Sequence, residues 1–298
     1  MNKILVIGSS NTDMVVKTDT LPLPGETKLG GTFFMNAGGK GANQAVAGAR
    51  LGGHVTLVTK LGNDIFGKQT LEGLKKENIN TDYVFFDESN PSGTALIIVN
   101  AMGENCIVVA PGANANLLPV DIDKVENLRD AAVILLQLEI PMETIHHITK
   151  LARVNNQKLI LNPAPAQKLN DELLRGLYLI TPNETEAFDL TGIQVKDETT
   201  ASSAADVLLT RGVENVIITL GREGAFFQNG HAKIKVNAPV VEPLDTTAAG
   251  DTFNGAITVA ITENMGWEEA IRFAVRAASI SVTRMGAQSS VPYRKEIN

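Results

Sequence analysis

Residues 245–255 read Asp-Thr-Thr-Ala-Ala-Gly-Asp-Thr-Phe-Asn-Gly and stand immediately before a long apolar segment. The spacing of that segment predicts a helix over residues 252–262, with Ala249, Gly250 and Asp251 at its N-terminal end. Free backbone N–H groups and the helix dipole make such an end an anion-binding site, and they favour a charged carboxylate at Asp251. Asp251 is therefore either a helix cap or a base beside a bound anion, and the stretch alone does not decide between them.

Strand and helix patterns alternate through most of the sequence. Strands are predicted at residues 4–7, 55–59, 133–138, 159–161, 179–180 and 216–219. Helices are predicted at residues 42–51, 66–77, 142–154, 184–190, 201–211, 252–262 and 267–283. This alternation predicts βαβ units, and therefore an α/β protein of three α/β/α layers with a mostly parallel central sheet.

Two regions break the alternation with strand patterns that have no helix between them. They comprise residues 14–17 and 31–35, and then residues 94–99 and 107–109, which a hairpin-like turn joins. We expect a small β-sheet lid from about residues 14–36 and 93–110, outside the main sheet. Its apolar face needs a cover and is a candidate dimer surface. No linker divides the chain, so we expect a single domain over residues 1–298.

Composition excludes several classes of protein. The chain has 298 residues, of which 44% are hydrophobic and 20% charged, a balance typical of soluble globular proteins. No apolar run is long enough to span a bilayer. A net charge of −7 argues against nucleic acid or an anionic membrane as a partner. The one cysteine, Cys106, cannot form an internal disulfide, which fits a cytoplasmic protein.

Two further turns carry candidate binding residues. Residues 8–13 (GSSNTD) follow the first strand, where α/β sheets bind ligands, and their Asn11 and Asp13 suit the vicinal hydroxyls of a sugar. Asn and Asp are also ordinary turn formers, so a plain turn stays open. Residues 36–44 (NAGGKGANQ) present Lys40 and Asn43 as donors at the start of a helix. They match neither the Walker loop nor a dinucleotide fingerprint, which counts against a dinucleotide-dependent enzyme.

Seven motifs occur in a fixed order: GSSNTD, NAGGKGANQAVAGARLG, NPAPA, TPNETE, TLGREG, DTTAAGDTFNGA and VTRMGAQSSVP. From Lys3 to Pro292 the chain resembles the PfkB family of carbohydrate kinases, and within it the members that act on ribose. The resemblance implies that ATP phosphorylates D-ribose at its primary (O5) hydroxyl to give D-ribose 5-phosphate. Deoxyribose, or another sugar or nucleoside, is the alternative acceptor. A non-catalytic sensor on this fold would lack the base or the anion hole, and both are present.

The resemblance also assigns roles to individual residues. Asp251 matches the catalytic base, and Ala249 and Gly250 complete its anion hole. The matched sugar-binding positions are Asn11, Asp13, Gly39, Lys40, Asn43, Glu139 and Asp251. The matched ATP positions are Asn183 and the loop Thr219, Leu220, Gly221, Arg222, Glu223 and Gly224. Asn183 and Glu186 form an NxxE motif that the family links to Mg²⁺ and phosphate. Without the resemblance, these two would be ordinary first-turn residues and the loop a plain hairpin turn.

Two further expectations rest on the resemblance. A monovalent cation, usually K⁺, is expected at Asp245, Thr247, Ser281, Arg284, Gly286 and Ser290, several of which would contribute backbone carbonyls. The lids of two subunits commonly pair in this family, which implies a homodimer. Cys106 would then lie in or beside a lid strand, with a structural role.

Overall fold

The computed structural model describes residues 3–297, so the domain prediction at residues 1, 2 and 298 lies outside the described residues. Its strands are β1 (Lys3–Ile7), β2 (Asn11–Lys17), β3 (Thr32–Gly38), β4 (His54–Gly62), β5 (Val84–Asp87), β6 (Gly93–Val99), β7 (Asn105–Ala110), β8 (Ala131–Leu136), β9 (Lys158–Leu161), β10 (Leu179–Ile180), β11 (Asn215–Thr219), β12 (Ala225–Asn229) and β13 (Lys233–Val236). Its α-helices are α1 (Lys40–Arg50), α2 (Ile65–Lys76), α3 (Pro119–Ile122), α4 (Met142–Val154), α5 (Asp171–Leu174), α6 (Glu184–Thr191), α7 (Glu198–Thr210), α8 (Ala249–Thr262) and α9 (Trp267–Ser281).

Nine strands form the main sheet, in the order β13-β12-β11-β10-β9-β8-β1-β4-β5. The pairs β11–β12 and β12–β13 are antiparallel, and the other neighbours pair in parallel. Parallel strands need crossover connections, which the helices between them supply. The predicted α/β fold with a mostly parallel sheet is confirmed.

The side chains of β1 show how the three layers are built. Leu5 and Ile7 point into a core that includes residues of α4 and α7. Ile4 and Val6 point into a second core that includes residues of α1 and α8. A strand covered by helices on both faces needs a continuous apolar run, which is why residues 4–7 do not alternate with polar ones. The α/β/α layering is therefore encoded locally in this strand.

A second sheet has the order β3-β2-β6-β7, and we call it the small sheet. Strand β2 pairs antiparallel with β3 and parallel with β6, and β6 and β7 form the predicted antiparallel hairpin. The small sheet is joined closely to the main domain. Strand β2 begins at Asn11, soon after β1 ends at Ile7, and β3 ends at Gly38, two positions before α1 begins at Lys40.

Some boundaries differ from the sequence expectations. The strand predicted at residues 133–138 ends at Leu136, so Glu139 lies in the connection that follows β8. Helix α7 begins earlier than expected because Asp197 accepts a hydrogen bond from the backbone N–H of Thr200. Strands β5 and β13 were not predicted; both are strands of four residues, partly exposed, at the two edges of the main sheet. Over residues 3–297, no helix is both long and apolar enough to cross a membrane.

Candidate active site

Asp251 lies in the first turn of α8 and is only 6% exposed. Its Oδ2 accepts a hydrogen bond from Asn43 Nδ2 at 2.9 Å, and its Oδ1 accepts one from Gln44 Nε2, also at 2.9 Å. Both donors lie on α1. Each carboxylate oxygen is thus held by one amide, which fixes the plane of the group.

The α8 N-cap is Ala248, not Asp251, and Ala248 has a left-handed φ of 59°. The carboxylate of Asp251 bonds to α1 and not to the backbone of its own helix. The interpretation of Asp251 as a helix cap is therefore wrong. As early residues of α8, Gly250 and Asp251 carry backbone N–H groups without an intrahelical partner, which leaves donors for an anion. The N–H of Ala249, the third predicted member of the anion hole, donates instead to the carbonyl of Thr246 at 3.3 Å.

The contact between α1 and α8 depends on Gly255. A Cβ at this position would lie 2.5 Å from Cβ of Ala47 and 2.8 Å from the carbonyl oxygen of Gln44. Real Cβ atoms do not approach other atoms this closely, so only glycine allows the helices this separation. Gly255 therefore sets the distance at which Asp251 meets the amides of α1.

Acidic side chains surround Lys40 at the start of α1. Glu139 Oε2 accepts hydrogen bonds from the backbone N–H of Lys40 at 3.0 Å and from Ser9 Oγ at 2.5 Å. Burial alone would lower the pKa of Lys40, but Asp251, Glu139 and other carboxylates raise it above its ordinary value. Lys40 therefore stays charged and offsets part of the acidic charge at the site.

Asp13 has a perturbed pKa in the same pocket. Burial, with the charges of Glu139 and Asp251, raises the pKa of Asp13 from 3.8 to about 6, against the opposing effect of Lys40. Burial deprives the charged carboxylate of hydrogen bonds from water. Hydroxyl groups of a bound ligand would replace those hydrogen bonds.

The residues predicted to bind a sugar come together here: Asn11, Asp13, Gly39, Lys40, Asn43, Glu139 and Asp251. Gly39 approaches the backbone of Asn11 so closely that a Cβ would lie 2.7 Å from its nitrogen. Asn43 Oδ1 is buried and has no hydrogen-bond partner within residues 3–297. The pocket thus offers carboxylates, an ammonium group and an unpaired amide oxygen, which suit a polyhydroxylated ligand.

The predicted ATP residues form a second region. Asn183 Oδ1 accepts from the backbone N–H of Glu186, and Glu186 Oε2 accepts from that of Asn183, so the NxxE motif is the capping box of α6. Asn183 also forms a β-bridge with Thr219, which brings the two predicted ATP segments together. Burial raises the pKa of Glu186, whose charge interacts with those of Lys40 and Asp251. The capping box accounts for the position of both residues, and a nucleotide role for them stays a prediction.

The loop after β11 is a hairpin turn, as the sequence alone allowed. It connects the antiparallel strands β11 and β12 and contains the exposed residues Gly221, Arg222 and Glu223. A Cβ at Gly224, which has a φ of 94°, would lie 1.9 Å from the carbonyl oxygen of Val236. Glycine is therefore required by the close strand contact, whereas nucleotide binding at Thr219, Leu220 and the rest of the loop stays a prediction.

Asp245 bonds to two of the other residues predicted to bind a cation, Thr247 and Gly286. Its Oδ1 accepts the N–H of Thr247 and its Oδ2 the N–H of Gly286, each at 2.9 Å. Burial would raise the pKa of Asp245, but hydrogen bonds from Thr247 and Gly286 outweigh it and hold the pKa below its usual value. One carboxylate thus joins the chain before α8 to the chain after α9.

The other side chains of this set have partners of their own. Ser281 Oγ donates to the carbonyl of Ala278, Ser290 Oγ donates to that of Ala287, and Arg284 pairs with Glu296 at 2.6 Å. A cation here would be held mainly by backbone carbonyls and Asp245, which fits a monovalent ion with oxygen ligands. Among residues 3–297 there is no group of three or more His, Cys, Asp or Glu side chains placed to hold a metal.

Several residues that hold the site residues in place were not singled out from the sequence: Ser9, Gln44, Asn114, Gln137 and Asn254. Ser9, Gln44 and Asn254 stand inside the motifs quoted above, so the motifs could have pointed to them. Asn114 had no such signal, because it lies in a short 3₁₀ turn remote in sequence from the residues it holds. Its Nδ2 donates to Asn11 Oδ1 at 2.7 Å.

The fold is that of a family of sugar kinases. The pattern of the pfkB family carbohydrate kinases matches residues 1–294, and the chain belongs to that family. It is 44% identical to the ribokinase of Haemophilus influenzae over 99% of this chain and 97% of the relative. It is 39% identical to the deoxyribokinase of Salmonella typhimurium, over 99% of this chain and 97% of that one.

A solved structure supports the same relationship. The Arabidopsis thaliana ribokinase complexed with ribose and ATP superimposes with a TM-score of 0.93 at 35% identity, covering 99% of this chain and 97% of that one. The three-layer architecture with its small sheet is therefore a ribokinase-like fold, and the chain is a kinase that uses ATP.

Proposed function

We propose that this kinase transfers the terminal phosphoryl group of ATP to the O5 hydroxyl of D-ribose, giving D-ribose 5-phosphate and ADP. The observation that carries the proposal is the Asp251 carboxylate, held by two amides in the first turn of α8 beside a pocket of sugar-binding type. Full-length similarity to ribokinases at up to 44% identity supports ribose as the acceptor.

The chemistry follows from the residues. Asp251 takes the O5 proton as O5 forms a bond to the γ-phosphorus, and the bond from that phosphorus to the bridging oxygen of ADP breaks. The backbone N–H groups of Gly250 and Asp251 lie at the helix end and stabilise charge on the transferring group. Asn11, Asp13 and Glu139 form hydrogen bonds with the other hydroxyls and orient the sugar. Lys40 offsets the surrounding acidic charge.

The nucleotide and its ions are part of the same proposal. ATP would contact Asn183, the loop at residues 219–224 and the Ala249–Gly250 turn. Mg²⁺ would be bound with ATP near Glu186, a buried acid in the first turn of α6. It would supply positive charge at the phosphates of ATP. K⁺ would lie at Asp245 and Thr247 with carbonyls of residues 281–290, adjacent in sequence to the anion hole.

The test is a panel of acceptors measured by ADP release. Ribose, 2-deoxyribose, fructose, fructose phosphates, adenosine and pseudouridine are each given with ATP and Mg²⁺, with K⁺ or with a large organic cation in its place. We expect the highest kcat/KM with ribose, and a rate that falls without K⁺. A preference for deoxyribose would replace the acceptor and leave the kinase intact, in line with the relationship to the Salmonella typhimurium deoxyribokinase.

We also propose a homodimer in which the small sheet acts as the lid. The strand register places Met35, Met14, Leu96 and Val108 in one row across the sheet. Met35, Leu96 and Val108 are 48%, 54% and 68% exposed, whereas Asp13 and Asn11 belong to the opposite face. A contiguous exposed apolar face is typical of a protein interface. Cys106 is exposed on the same face as a free thiol. Free thiols persist in reducing compartments, so we also propose that the protein is cytoplasmic.

Val108→Glu tests this dimer. We expect light scattering to give a dimer for the parent protein and a monomer for the variant, because a charge on the apolar face would be buried without a partner. The matched control is Val154→Glu on α4, where the parent side chain is 77% exposed but lies outside the small sheet. Dimers with all three proteins, or a monomeric parent, would contradict the proposal.

A further inference from the structure

Gln44 and Gln137 form a buried relay behind Asp251. Gln44 Nε2 donates to Asp251 Oδ1 at 2.9 Å, and Gln44 Oε1 accepts from Gln137 Nε2 at 2.6 Å. Both glutamines are fully buried, at 0% exposure. Neither was predicted to touch a ligand, and neither bond is needed to build α1 or β8. A buried chain of two amides that ends on one carboxylate oxygen therefore needs a function of its own.

The direction of the relay fixes the orientation of Gln44. If its carboxamide were flipped, its oxygen would face Asp251 Oδ1 and its NH₂ group would face the NH₂ group of Gln137. Two acceptors and two donors would then oppose each other in a buried site, which is strongly unfavourable. Gln137 thus keeps the donor of Gln44 directed at Asp251.

Gln137 itself is held in a close-fitting position. A Cβ at Gly8 would lie 2.0 Å from Gln137 Oε1, so the side chain fills the space that a larger residue at the end of β1 would occupy. Its Oε1 is buried and, within residues 3–297, accepts no hydrogen bond. A buried oxygen without a hydrogen bond lowers the stability of the folded protein. The same orientation of Gln137 directs its Nε2 donor at Gln44.

The two oxygens of Asp251 consequently have different surroundings. Oδ1 faces the fully buried relay, whereas Oδ2 accepts from Asn43, a predicted sugar-binding residue whose own Oδ1 is unpaired. We infer that Gln44, oriented by Gln137, is a positioning residue that holds Asp251 so that Oδ2 takes the proton of the acceptor hydroxyl. This inference rests on the proposed role of Asp251 as the base.

A double-mutant cycle distinguishes positioning from a general structural effect. We expect Gln44→Met to lower kcat by about 10-fold to 100-fold, since small misplacements of a reacting group have effects of that size. The KM for the sugar should change by less than about threefold, because Gln44 is buried behind the carboxylate and not in the pocket. In the Asp251→Asn background, where the base is already absent, the same change should alter the residual rate by less than about twofold.

The control is Gln228→Met, which removes another buried glutamine that donates to an aspartate, Asp206 of α7, at 2.5 Å. It should lower the melting temperature and leave kcat unchanged. If Gln44→Met does not fold, Gln137→Met is measured in both backgrounds, with a smaller loss of kcat expected only when Asp251 is present.

An equal loss of kcat in the parent and in the Asp251→Asn background, or a loss confined to KM, would overturn the inference. The cycle is measured with whichever acceptor gives the highest turnover, so an error in the proposed acceptor does not affect it. If instead Asp251→Asn itself left turnover unchanged, the proposed function would fail first, and the two failures are distinguishable.

Discussion

Asp251→Asn is expected to lower kcat by about 10²-fold to 10⁴-fold, the usual range for loss of a general base. Sugar affinity should change little, because asparagine has nearly the same shape and the remaining polar residues of the pocket are unaltered. The amide cannot accept a proton from the attacking hydroxyl, so binding and turnover should separate. ADP release measures kcat, and isothermal titration with ribose measures the Kd. Unchanged turnover would mean that Asp251 is not the base.

The matched control for this substitution is Asp197→Asn. Asp197 stands at the start of α7 as a true N-cap and accepts the backbone N–H of Thr200 at 2.8 Å. Asparagine is nearly as good a cap as aspartate, so kcat should stay within about twofold of the parent value. The comparison separates the effect of a lost carboxylate at a helix start from the effect of a lost base.

Gly255→Val is expected to reduce both stability and turnover. The added side chain would meet Ala47 and the backbone of Gln44 at distances that force α8 away from α1. Overpacking of this kind typically lowers the free energy of unfolding by about 1–3 kcal/mol. Because the same movement carries Asp251 away from Asn43 and Gln44, kcat should fall by about 10-fold or more. Urea unfolding and steady-state kinetics measure the two effects.

Gly73→Val is the control for the glycine substitution. Gly73 lies inside α2, and a Cβ built there would meet no heavy atom within 4 Å. Valine at this position should leave kcat unchanged and alter stability only through helix propensity, by less than about 1 kcal/mol. A Gly255→Val enzyme with the parent kcat would show that the separation of α1 and α8 does not set the position of the base.

The sequence was sufficient for the fold because its patterns are local. Continuous apolar runs such as Ile4–Ile7 are buried on both faces, and the helices between them have one apolar side, so the α/β/α layering could be predicted without a structure. The small sheet was predictable as strands. The hairpin of β6 and β7 was predicted too, but the parallel pairing of β2 with β6 was not, since that contact depends on tertiary position and leaves no local signal.

The site was predictable where a motif fixed a residue. The seven predicted sugar-binding residues come together, and the predicted ATP segments meet at the bridge between Asn183 and Thr219. What sequence could not decide was whether Asp251 is a cap, since an aspartate at a helix start serves either purpose. Only the bonds from Asn43 and Gln44 show that its carboxylate faces a neighbouring helix. Long-range contacts of this type, including Asn114 with Asn11, have no pattern within one segment.

The short connections of the small sheet have a consequence for how such an enzyme can diversify. Asn11 and Asp13 are part of β2, and β3 leads through Gly39, whose φ is 86°, into the Lys40 end of α1. The sheet and the acceptor pocket therefore share residues and cannot be inherited as separate modules. If the proposed roles hold, an exchange of these strands between relatives would exchange the proposed hydroxyl contacts at the same time, so the lid and the choice of sugar would evolve as one unit.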